Sequence, residues 1–266
     1  MIKYSRKRKK LKRGRYEIAM SLIKTKSFEL AILTRGDTDS KKVTILIPGR
    51  LDTKDYGNFI SHAEYLSNKG FFAVAFDPPG TWDSPGRIDL YTTTNYLKAL
   101  NELIEYFGDR PTLLVGHSRG AAVAAVASMS NPAIIGIVLL MANYGSPTSP
   151  SEEDLNRGFK VSHRDLPPGT SPASEQKEFL LPINYWKDGK QYNQIEVLEK
   201  CTKPKLLIYG TEDEFTSPNT VEELFKNIPE PKMIKEVNSN HDYRYHPEII
   251  EEVNYEIGLF LDKYFE

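Results

Sequence analysis

The stretch that decides the fold is Thr112-Leu-Leu-Val-Gly116-His117-Ser118-Arg119-Gly120-Ala121-Ala122. An apolar run, Thr112 to Val115, reads as a strand, and an Ala/Val-rich pattern from Arg119 to Met129 reads as a helix. Between them, Gly116-His117-Ser118-Arg119-Gly120 fits G-x-S-x-G, in the strand-to-helix context that the pattern needs. A turn this sharp strains the serine backbone and brings neighbouring backbones close, so the flanking positions must be small. Ser118 then stands at a helix N-terminus, where N–H groups and the dipole favour negative charge.

The same alternation extends outward on both sides. Ser27 to Thr34 reads as an early strand, Val43 to Ile47 as a β-branched strand, and Phe71 to Phe76 as another. Helices are expected over Tyr56–Asn68 and Leu90–Phe107. Downstream, Ile134–Met141, Lys205–Tyr209 and Met233–Val237 read as strands, Asn219–Asn227 as a helix, and Pro247–Tyr264 as a long closing helix. Near-continuous apolar strands alternating with helices imply a mostly parallel sheet covered on both faces.

Residues 143–200 break the pattern and hold six of the 17 prolines. Short helices are expected near Ser151–Arg157, Ser174–Leu180 and Gln191–Lys200. We read this segment as an insertion over the sheet, a cap between core segments 20–142 and 201–266.

Composition bounds the function. The chain has 266 residues, a net charge of −1 and a single cysteine, Cys201, so neither an intramolecular disulfide nor a Cys-rich zinc module is available. The apolar run Ile134 to Ala142 has nine residues, too short to span a bilayer. Residues 1–15 carry nine bases and no acid, which leaves −10 on the other 251 residues. This basic tail, 1–19, lacks a following apolar segment and is not a secretory signal. A cytoplasmic location is therefore expected. The tail offers at most a peripheral membrane contact, and no nucleic acid is expected as a partner. There is no H-E-x-x-H, P-loop or G-x-G-x-x-G, so neither metal nor nucleotide cofactor is expected.

On these residues the sequence resembles the α/β-hydrolase family over about residues 20–266. The resemblance implies an α/β-hydrolase fold with Ser118 as nucleophile on the turn after the fifth strand of that family. The family order is Ser, then an acid, then His. Leu206-Leu-Ile-Tyr-Gly210-Thr-Glu-Asp213-Glu-Phe-Thr-Ser-Pro218 is similar to its strand and acid loop and selects Asp213, with Glu212 and Glu214 as alternatives. Val237-Asn-Ser-Asn-His241-Asp242 corresponds to the histidine loop and selects His241, with His246 as rival. His62, His117 and His163 fall in a helix, the turn and the insertion. The oxyanion hole is expected from the N–H groups of Arg119 and Arg50, with Leu51 as the alternative to Arg50. Pro48 stands where many family members have His. The Arg50 side chain reaches either a substrate carboxylate or a surface partner. Asp77-Pro-Pro-Gly80-Thr-Trp-Asp-Ser84 looks like a structural turn of the family, with Trp82 expected to pack rather than to line the site.

The implied activity is hydrolysis of a small-molecule carboxylic ester through an acyl-enzyme, with no cofactor. Amide hydrolysis, acyl transfer and a silent ligand-binding homologue are the other readings of the same turn.

Overall fold

The computed structural model describes residues 19–144 and 149–265. The basic run at residues 1–15 lies outside them.

Along the chain the elements are β1 (Ala19–Lys24), β2 (Glu29–Arg35), β3 (Val43–Ile47), α1 (Gly57–Asn68), β4 (Phe72–Phe76), α2 (Thr93–Tyr106), β5 (Thr112–His117), α3 (Arg119–Ser130) and β6 (Ile134–Leu140). Then come α4 (Glu152–Arg157), β7 (Phe159–Asp165), β8 (Gln176–Pro182), α5 (Asn184–Gly189) and α6 (Gln194–Leu198). The chain closes with β9 (Lys205–Gly210), α7 (Pro218–Asn227), β10 (Lys232–Val237) and α8 (Pro247–Tyr264). Eight strands form one sheet in the order β1-β2-β4-β3-β5-β6-β9-β10. β1 and β2 are antiparallel to their neighbours, and all pairs from β4 to β10 are parallel.

Successive side chains of a strand point to opposite faces, and this divides the core in two. Ile45, Ile47 and Leu114 pack with α2, α3, α6 and α7, while Leu46, Leu113 and Val115 pack with α1 and α8. β3, β4 and β5 are buried along their whole length, as strands covered on both faces must be. α2 starts where Thr92 caps it, its hydroxyl accepting from Asn95 N–H.

Several elements depart from expectation, β7 and α5 among them, which the sequence reading leaves without assignment. β1 has no counterpart in the sequence reading, because it is an edge strand whose Leu22 is 60% exposed. The helix expected over Ser174–Leu180 is instead the second strand of a hairpin with β7. Its Phe179 and Leu181 bury at alternate positions, a period of two that its charged residues mask.

The turn at Asp77 is structural, as expected. Lys54 is 1% exposed, and its ammonium meets Asp55 at 2.7 Å, Asp77 at 3.0 Å and Asp83 at 2.9 Å. These three carboxylates lie close enough together to hold a metal ion, but the Lys54 ammonium is the cation they surround. Trp82 packs on Tyr56 and Phe179 and donates to Leu51 O at 2.8 Å. Cys201 is fully buried, 3.6 Å from the Ser128 hydroxyl. No helix of the described residues is long and apolar enough to cross a membrane.

His62 lies fully buried between Asn254 Oδ1 (2.6 Å) and the Tyr243 hydroxyl (2.8 Å). Burial pushes its pKa down to about 4, against the support of Asn254. The unfolded chain takes this proton near pH 6.5 and the folded chain refuses it until about 4, so stability is complete above 6.5 and falls as pH drops through that window. The loss amounts to about 3 kcal/mol. The unfolding midpoint should therefore fall between pH 6.5 and 4, and the fall should be clearly smaller in His62→Gln, whatever the absolute stability of that variant. An equal slope in both proteins would assign the acid sensitivity elsewhere.

Candidate active site

Ser118 sits between β5 and α3 with φ 51° and ψ −112°, a conformation that L-residues rarely adopt. Its N–H donates to Leu140 O on β6 at 2.8 Å. The glycines on either side are obligatory for contact reasons. A Cβ on Gly120 would collide with the carbonyl oxygen of Ile47 in β3, and one on Gly116 with the backbone of Gly120. The elbow is thus pressed against the end of β3, whose following loop is Pro48-Gly49-Arg50-Leu51.

The acid and histidine loops follow β9 and β10, which pair in parallel and so end on the same side of the sheet as β5. Ser118 Oγ lies 2.8 Å from His241 Nε2, and His241 Nδ1 lies 2.9 Å from Asp213 Oδ2. With Nδ1–H donating to the carboxylate, Nε2 is left as the acceptor for the serine O–H. Asp213 Oδ1 also accepts from the N–H groups of Phe215 (2.8 Å) and Thr216 (3.3 Å). Burial alone would raise the Asp213 pKa, but the His241 hydrogen bond and charge, with these two N–H donors, hold it below the usual carboxylate range.

The rival residues lie elsewhere. Glu212 is exposed, and Glu214 accepts from the backbone N–H of His241 at 3.3 Å rather than from its ring. His246 is the residue before α8 and faces Glu248, His163 faces Glu178 on the hairpin surface, and His62 is in the core.

The loop after β3 is braced from α2 and the turn before it. Tyr96 donates to Pro48 O at 2.9 Å, and Leu51 N–H donates to the Tyr91 hydroxyl at 3.1 Å. Burial raises the pKa of both phenols, so both stay protonated. Leu51 N–H is therefore engaged, which favours Arg50 over Leu51 as an oxyanion donor. As the first residue of α3, Arg119 has an N–H with no intrahelical acceptor.

A second layer escaped the sequence reading. His117, inside the elbow, contacts His241 O through Nε2 (3.2 Å) and Asp52 Oδ2 through Nδ1 (3.1 Å). Arg164 from β7 approaches Asp52 Oδ1 at 3.4 Å and donates to Arg50 O at 2.9 Å. Burial would raise the Asp52 pKa, but His117, Arg164 and Arg244 drive it far below the carboxylate range. The only signal available beforehand was the polar pair His117 and Asp52 beside two candidate loops.

Ser118 opens on a cavity of about 540 Å³. Ala122, Val126, Ile195, Trp186 and Phe215 supply apolar wall, and Tyr185, Trp186 and Gln194 bring part of segment 143–200 over the serine.

Residues 42–165 match the family described as the alpha/beta hydrolase fold, and residues 174–263 match one described as PhoPQ-activated pathogenicity-related protein. The chain has the α/β-hydrolase fold. It is 20% identical over 206 residues to palmitoyl-protein thioesterase ABHD10, mitochondrial, from Bos taurus, covering 75% of this chain and 66% of that protein. To the Mus musculus protein of the same name it is 24% identical over 181 residues, covering 64% of this chain and 58% of that one. The chain thus spans between 58% and 66% of the length of the curated relatives it matches. A putative hydrolase from Agrobacterium vitis S4 shares the fold with a TM-score of 0.72 at 16% identity, covering 93% of this chain and 99% of that one. The cytoplasmic location expected from the sequence does not stand, because both curated relatives are named as mitochondrial.

Gly120→Ala should destabilise the protein by at least about 2 kcal/mol, since the intruding methyl meets backbone rather than a movable side chain. Urea unfolding measures it. A variant as stable as the parent would mean that β3 and α3 can separate without penalty.

Proposed function

We propose that the protein is a serine hydrolase that cleaves a carboxylic ester or thioester through an acyl-enzyme. The observation that supports this most is the relay from Ser118 Oγ through His241 to Asp213, with both links under 3 Å and the serine at the floor of a cavity. The thioester enters because the matched relatives are named thioesterases.

In this reading His241 Nε2 removes the Ser118 proton as Oγ attacks the substrate carbonyl. Asp213, ionised at neutral pH, fixes the Nδ1–H tautomer and stabilises the imidazolium. The N–H groups of Arg119 and Arg50 hold the oxyanion. His241 then returns the proton to the leaving oxygen or sulfur, and water attacks the acyl-enzyme by the same route in reverse. Segment 143–200 acts as a cap that shapes the acyl site.

A fluorophosphonate probe should label the chain once, at Ser118, and Ser118→Ala should abolish labelling. His241→Ala and Asp213→Asn should each lower kcat on an aryl ester roughly 10⁴-fold. His246→Ala, Glu212→Gln and Glu214→Gln should stay within about tenfold, which is ~1.4 kcal/mol of barrier. Unchanged turnover in a folded Ser118→Ala protein would sink the mechanism. A crippled Glu212→Gln or Glu214→Gln beside an active Asp213→Asn would move the acid and leave the reaction class intact.

A further inference from the structure

The cavity is basic, although the chain outside its first 15 residues is acidic. Arg50, Arg119, Arg164, Lys190 and Arg244 line it, against only Glu214 and Asp242. Two of these bases already have buried counter-charges. Arg164 faces Asp52, and Arg244 meets Asp165 and Asp242, each at 2.6 Å.

Arg119 is different. Its guanidinium lies over the Tyr185 ring at 5.3 Å and donates through Nη2 to the Thr93 hydroxyl. Gly189 closes the other side, where even a Cβ would come to 3.0 Å from Nη2. The group is therefore fixed in place, yet it forms no ion pair among the described residues, and its buried Nε–H has no acceptor. Tyr144 (5% exposed) and Gln194 belong to the wall of the same cavity, and the hydroxyl of the one and Oε1 of the other are also buried without a partner. A buried polar group left unpaired costs roughly 1–3 kcal/mol. Three of them around one cavity, one carrying a full charge, describe a wall built for a polar ligand. A saturated acyl chain would gain nothing from them.

We propose that the substrate carries a carboxylate, away from the scissile bond, and that the Arg119 side chain binds it. This rests on the hydrolase reading of Ser118. Arg119 then serves twice: its backbone N–H faces the oxyanion and its guanidinium selects the substrate. The fork of a guanidinium matches the two oxygens of a carboxylate. The apolar wall beside it takes the few carbons between that group and the ester, and the remaining basic side chains draw the anion into the cavity.

Two ester pairs test this and locate the carboxylate. For the acyl side, 4-nitrophenyl monoadipate is compared with its methyl-capped form. For the leaving side, 4-carboxyphenyl hexanoate is compared with its methyl ester. The wild-type protein should prefer the anionic member of one pair by roughly tenfold to hundredfold in kcat/KM. Arg119→Gln keeps the backbone N–H, and in it that ratio should fall to within about twofold. A ratio near one in both pairs for the wild type, or a preference that survives in Arg119→Gln, overturns the proposal. Calorimetry on Ser118→Ala separates this from the hydrolase reading. Hexanoate should bind at least about tenfold tighter than hexanamide, and equally in Ser118→Ala/Arg119→Gln. If no ester turns over, the hydrolase reading falls while this binding ratio still decides the carboxylate site. Equal binding of acid and amide to Ser118→Ala would overturn it even with esterase activity present.

Discussion

The constraint on which the structure turns is the φ of 51° at Ser118. Holding a non-glycine residue there costs about 1–3 kcal/mol and persists only where the surroundings over-determine it. Here they do. β5 is clamped between β3 and β6, Leu140 O takes the Ser118 N–H, and Gly116 and Gly120 let α3 press onto the end of β3. The same pressure brings the loop after β3 beside the serine. One contact, Gly120 against Ile47 O, thus sets both the exposure of the serine and the approach of its proposed oxyanion donors.

Around that point the charged groups behave as one unit. Asp52 sits in the loop after β3, His117 in the elbow, His241 in the loop after β10, and Arg164 on the hairpin of segment 143–200. Asp52 joins His117 to Arg164, and His117 reaches the carbonyl of His241. Isolated, a carboxylate buried this deeply would be neutral. With a histidine and two arginines around it, it is held ionised, so each partner stabilises the placement of the others. Segment 143–200 is therefore more than a cover, since its Arg164 also grips Arg50 O.

How much of this could be read beforehand follows from the range of each interaction. The elbow was legible because strand, turn and helix are contiguous. Asp213 is selected by the resemblance of its loop, and it is the buried one of the three neighbouring acids. His246 directly precedes Pro247, which opens α8, so it takes the N-cap position of a helix rather than lying in the loop after β10 with His241. The hairpin β7–β8 was not legible, since its burial rests on a few alternate apolar residues such as Phe179 and Leu181 among charged ones. The Asp52–His117 and Arg164–Arg50 contacts were out of reach for another reason. Their partners lie 65 and 114 residues apart, and no local pattern encodes them.

Pro48 shows how a departure from a family pattern is compensated. The loop lacks the side-chain brace of a histidine, and two phenols from outside it take over. Tyr96 holds Pro48 O and Tyr91 holds the N–H of Leu51. Tyr91 in turn stacks on Tyr185 at 5.3 Å and 21°, and the Arg119 guanidinium also lies against the Tyr185 ring. A single column thus runs from the loop after β3 through two tyrosines to the side chain proposed to select the substrate. Aromatic stacking and cation–π contact each contribute about 0.5–2 kcal/mol when shielded from water. A ligand bound at Arg119 would therefore rest on the same stack of rings that holds the loop carrying Arg50, so the proposed carboxylate site and the proposed oxyanion donor are built on one packed unit.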